Sequence, residues 1–304
     1  MKEFVPEEDA EVCIRALKFD NLSTEDFDSY WKACRQFRMA DIKKMESTTA
    51  IFDKWLFYKI PSGFRLNDMD FDALHPNGDA LLSTWETKRD AIVNFLSNDN
   101  VKDKNIKCSL EYIKNNEVSE NSLNATILWP LHGYLVPTSR TVCKDKAGKN
   151  SVIKYTIKDS QEAFVLQRKS HQDLDDHLLH HLANRKTTIQ PLLLLVYVDS
   201  VKYSFTNFLR AVDSCFKIFY VFYLKFPDAA MNFWSFIETY FCQLSSRHSN
   251  SKIHVLCNTL QGVKFRKKKF FFLKTFQLGS LTLGKRKADR ILCDENLTLT
   301  FLIN

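Results

Sequence analysis

The chain has 304 residues, 45% hydrophobic and 26% charged, which is enough apolar content for one large or two modest domains and excludes intrinsic disorder. Seven Gly and seven Pro exclude collagen-like, linker-like and Gly-rich solenoid architectures. The formal charge of +7 is local, because residues 261–304 hold ten Lys or Arg against three acids and residues 1–260 balance; it therefore gives no reason to expect nucleic-acid binding by the body of the chain.

The first residues, MKEFVPEEDAEVC, are acidic and lack the basic start and apolar run of a secretory signal. An intracellular protein, nuclear or cytoplasmic, is expected, with its eight cysteines as reduced thiols rather than a disulfide framework. The most apolar stretches, Pro191–Val198 and Phe216–Phe226, are too short to span a membrane.

From Thr24 to Ile42 the spacing of Phe27, Tyr30, Trp31 and Cys34 predicts an amphipathic helix, and Ile51, Phe52, Trp55 and Leu56 predict a second over 48–58, stopped by Pro61-Ser62-Gly63. Residues 64–78 read as a turn-rich connector in which Asp68, Asp70 and Asp72 form a solvated acidic turn without the order of a calcium loop. Asp79 caps a third helix running to Ser97, with Leu81, Leu82, Trp85, Ile92, Phe95 and Leu96 as its apolar face. Residues 99–125 are polar and read as an exposed linker, so residues 1–98 form a helical N-terminal region and 126–244 an α+β module.

In that module Thr126–Trp129 reads as extended, a hairpin is expected from Val142 to Ile157, and Leu192–Val198 is a strand that pairs with Val201–Phe205. A long helix follows from Thr206 to the stop at Pro227, and a second is capped by Asp228 with the stripe Met231, Trp234, Ile237 and Phe241. The expected fold class is α+β: mostly helical, with a small antiparallel sheet packed by a C-terminal helical pair.

Two clusters have ligand-type residues. Asp173, His177 and His181 recur at one-turn spacing in HQDLDDHLLHHL and would converge on a divalent ion if that segment is helical; the alternative is a solvated helix packed through its leucines. Cys242, His248, His254 and Cys257 have four zinc-type donors, but C-x5-H-x5-H-x2-C lacks the two close pairs of structural zinc sites. Neither G-x-S-x-G nor a phosphate-binding glycine loop is present. The expectation is a non-enzymatic protein without catalytic residues or cofactor.

Residues 245–304 read as a basic tail. Its clusters Lys264, Arg266, Lys267, Lys268 and Lys269, and Lys285, Arg286 and Lys287, flank a contiguous Phe-Phe-Phe-Leu. Three readings stand side by side: a nucleic-acid or nuclear-import segment, a surface extension without a partner, and translated A/T-rich non-coding sequence, since A and T runs encode Lys and Phe.

The blocks Ile127–Phe164 (ILWPLHGYLVPTSRTVCKDKAGKNSVIKYTIKDSQEAF) and Val196–Phe241, the latter dense in the pattern D-S-V-K-Y-S-F…L-x-A-V-D-x-C-F-K-I-F, resemble a multi-copy group of uncharacterised animal proteins, mostly from insects and fish. Some members of that group lie downstream of zinc-finger segments. The resemblance runs from about Thr48 to Leu244; it implies an association with mobile elements and assigns no catalytic residue. A zinc-finger pattern is missing from the start of this chain. The expected function is binding of a protein partner or self-association, with nucleic-acid binding through the basic tail as the alternative.

Overall fold

The computed structural model describes residues 8–76, 80–97, 104–115, 118–137, 141–144, 150–168, 193–245, 248, 250–262 and 297–302. The chain is α+β and mostly helical. Helix α1 (Glu8–Phe19) is followed by α2 (Thr24–Ala33), which starts where the Ser23 hydroxyl accepts from the Asp26 N–H. The helix expected over 24–42 is interrupted at Cys34 (φ −85°, ψ 8°), after which α3 (Arg35–Ile42) continues. Neither Gly nor Pro marks that break in the sequence. Helix α4 (Thr48–Lys54), capped by Ser47, gives way at Trp55 to a 3-10 turn, Leu56–Lys59.

Residues 64–74 are not a connector. They belong to helix α5 (Gly63–Leu74), which buries Leu66, Phe71, Asn67, Asp68 and Asp70 together. Its acids suggested solvent, yet cationic side chains from distant segments neutralise them, so the helix packs on both apolar and charged residues. At its first residue the chain doubles back so tightly that a Cβ on Gly63 would collide with the Tyr58 carbonyl.

Helix α6 (Ala80–Ser97) forms as expected. The polar stretch 99–125 is instead largely helical: α7 (Lys104–Asn115) packs on α8 (Glu120–Leu135), and α8 crosses the expected boundary at 125/126. Thr126–Trp129, expected as extended, lies in the middle of α8, which buries Asn124, Ile127, Leu128, Leu131 and Leu135 and continues through Pro130. Burial of that face outweighs the single hydrogen bond that proline removes.

The hairpin of β1 (Thr141–Lys144) and β2 (Asn150–Ile153) is antiparallel and leads into α9 (Ile157–Phe164) and β3 (Val165–Arg168). Strands β4 (Leu193–Val198) and β5 (Val201–Phe205) pair antiparallel as expected, turning through Asp199 at φ 55°. The region expected as a tail contributes helix α12 (Ser251–Leu260) and strand β6 (Leu297–Leu302). Strand β6 enters the sheet between β3 and β4, parallel to β3 and antiparallel to β4, giving the order β3-β6-β4-β5. Its sequence, LTLTFL, alternates with period two beyond the charge runs.

Helix α10 (Phe208–Val221), capped by Asn207, is buried almost all round. After a 3-10 turn at Asp228–Ala230, α11 (Met231–Phe236) runs into a π-helical turn, Ile237–Phe241. Helix α10 packs against α5, α6, α8 and the sheet. The buried residues from Cys13 to Cys257 form one continuous core, so the helical N-terminal region and the α+β module share it.

Candidate docking site

Of the residues singled out in the sequence, Asp173, His177 and His181, and the basic clusters Lys264 to Lys269 and Lys285, Arg286 and Lys287, lie outside the described residues. Among the described residues no group of three or more His, Cys, Asp or Glu is placed to hold a metal ion. Cys242 and Cys257 are buried, whereas His254 is on the exposed side of α12. Burial pushes the Cys257 thiol up to about 11, against the pull of Lys88.

The acids of α5 have partners of their own. Asp70 accepts from Arg38 Nε and Nη2, from the Trp31 indole N–H at 3.2 Å and from the Tyr58 hydroxyl at 2.6 Å. Asp68 pairs with Arg210 and, at 3.6 Å, with the ammonium of Lys217, which also lies 3.1 Å from Asp213 and 3.7 Å from Asp72. Burial raises the Asp68 carboxyl while the two cations pull it down. These are internal ion pairs, so the carboxylates are already committed to cations of the same chain.

A Ser–His pair that the sequence reading missed lies deeper. The His132 Nδ1 is 2.8 Å from the Ser160 hydroxyl, and its ring stacks on Phe233 at 4.3 Å. Both residues are at most 1% exposed, and burial pushes the imidazole down to about 3. An enclosed histidine of such low basicity is a poor general base and has no route to a substrate.

Among the described residues, α1 and the corner after α4 enclose an open apolar groove of about 210 Å³. It is lined by Ile14, Leu17 and Lys18 of α1, by Trp31, and by Lys54, Trp55, Leu56, Phe57 and Ile60. Each of its two indoles is held by a carboxylate behind it: Trp31 by Asp70, and Trp55 by Asp41 at 2.9 Å. The rings meet edge to face at 6.1 Å. Trp31 is fully buried and Trp55 only 5% exposed, so the bonded indoles close the floor of the groove and the accessible apolar surface lies at its rim.

Leu56 and Ile60 project from the corner with 58% and 41% exposure. The sequence reading placed Leu56 on the buried face of a helix over 48–58. The switch to a 3-10 turn at Trp55 re-aims the following side chains, and no Gly or Pro announces that switch. Lys54 also reaches Asp41, at 2.6 Å, while keeping 48% exposure. Neither a family model, nor a curated protein, nor a solved structure matches the chain.

Proposed function

We propose that the protein is a non-enzymatic, intracellular protein-interaction module that receives a segment of a partner protein in the groove between α1 and the α4 corner. The observation that carries this reading is the exposure of Leu56 and Ile60 at the rim of an apolar groove whose floor is closed by the buried indoles of Trp31 and Trp55. Covering the two exposed aliphatic side chains gains about 25 cal/mol per Å² of apolar surface removed from water. Cys13, Cys34, Cys108, Cys215, Cys242 and Cys257 are free thiols, all but Cys108 buried, which suits a reducing compartment. Among the described residues no helix is long and apolar enough to cross a membrane.

The test is site-specific photocrosslinking from position 56, with position 112 as control, because Tyr112 is equally exposed on another helix. A partner crosslinked only from position 56, whose affinity for the purified full-length chain falls at least about tenfold (1.4 kcal/mol) in Leu56→Asp/Ile60→Asp at unchanged melting temperature, supports the reading. Equal affinity for that variant and the wild type overturns it.

A further inference from the structure

We infer that the occupant of this groove is an acidic amphipathic protein segment, whose bulky apolar side chain packs on Leu56 and Ile60 at the rim and whose carboxylates meet Lys18 and Lys54. The inference rests on the docking reading above. Its basis is the charge of the lining: the two ionisable residues that face the groove are both lysines, and no acid is among them. Lys18 is exposed, in the last turn of α1, and makes no ion pair with the described residues. The Lys54 ammonium has three donors, of which Asp41 takes one from behind, leaving the half-exposed head able to accept a second carboxylate.

Nucleic acid is a poorer fit to the same surface. Affinity for a phosphate backbone grows with the number of cations that meet it, and this groove supplies two, set around aliphatic side chains. A basic segment is disfavoured by the same lysines, since like charges placed together across an interface are repelled.

The probes are two fluorescein-labelled synthetic peptides with identical Leu and Phe anchors, one with Glu and the other with Lys at the intervening positions, titrated into the full chain by fluorescence anisotropy. The Glu peptide is expected to bind at least about tenfold tighter than the Lys peptide at low salt, to weaken as salt is raised, and to lose most of that preference in Lys18→Glu. Lys18 makes no ion pair with the described residues, so its replacement is expected to cost at most about 1 kcal/mol at the end of α1, which the melting temperature checks.

Equal binding of the two peptides, abolished in Leu56→Asp/Ile60→Asp, overturns the acidic selection while docking stands. Absence of binding by either peptide, together with crosslinking no different between positions 56 and 112, overturns both. A wild-type dimer in sedimentation that Leu56→Asp/Ile60→Asp dissolves makes a second copy of the chain the occupant and also overturns the inference.

Discussion

Arg38 and Asp70 form an ion pair in which neither side chain is more than 1% exposed. The guanidinium carbon lies 3.7 Å from the centre of the Trp31 ring, and the group also donates to the Cys34 sulfur at 3.1 Å. Because Asp70 binds Trp31 and Tyr58 as well, one carboxylate joins α2, α3, the 3-10 corner and α5, and fixes one wall of the groove. Asp70→Asn leaves the guanidinium buried without its counter-charge, at an expected cost of about 3–5 kcal/mol. A fall of less than about 1 kcal/mol in urea unfolding would show the pair to be dispensable. Arg38→Met combined with Asp70→Asn should recover part of the loss, since it removes the orphaned charge.

Gly63 gives a second test. Its amide donates to the Ile60 carbonyl at 2.7 Å, and a methyl group there would meet the Tyr58 carbonyl, which also accepts from the Tyr203 hydroxyl. The obstruction is backbone, so it cannot swing aside. Gly63→Ala is expected to destabilise by about 1–3 kcal/mol, read as a lowered urea midpoint, even though alanine is the better helix former at the start of α5.

The acid limb of stability should bear the mark of His132. Its folded pKa is pushed from 6.5 down to about 3, so below pH 6.5 the unfolded chain takes up a proton that the folded chain refuses. The unfolded state then binds more protons, and stability falls as pH falls from 6.5 towards 3. At pH 4.5 this amounts to about 2–3 kcal/mol relative to pH 7. Unfolding measured at both pH values in the wild type and in His132→Phe/Ser160→Ala should show a smaller acid loss in the variant. Parallel losses would mean that His132 is accessible to protons.

Strand β6 changes how the basic region can be tested. Truncation after Gly262 removes the strand that joins β3 to β4 along with every basic cluster, so loss of any activity would report misfolding. Truncation is expected to lower the melting temperature and expose apolar surface to a hydrophobic dye, whereas Lys267→Gln/Lys268→Gln/Lys269→Gln removes three charges and keeps the strand. Nucleic-acid retention that survives the triple substitution would argue against a role for those charges.

Elements with one strong period were legible from the sequence. The β4–β5 hairpin, α6 and α10 matched their patterns, because burial on one face leaves a record in spacing, whereas the stripe from Met231 to Phe241 passes from α11 into the π-helical turn at Ile237. The acids of α5 misled, since Asp68, Asp70 and Asp72 look solvated unless their partners are known, and Arg210 is 142 residues away. A signal was available in α10, where Arg210, Asp213 and Lys217 interrupt an otherwise apolar run; charges on a helix so buried demand counter-charges from elsewhere. The groove was illegible for a different reason. It depends on a single change of helical pitch at Trp55, which composition and spacing do not encode.

The place of β6 in the sheet has a consequence for synthesis. Strand β4, with the sequence LLLVYV, can fold back on β5 as soon as both leave the ribosome, but its other edge awaits residues 297–302. At about 5–20 residues per second, that apolar edge stays open for several seconds. During that interval it can template pairing with a neighbouring nascent chain, as any unpaired strand edge can. Ribosome-associated chaperones should therefore matter more to the yield of this protein than to its stability once complete.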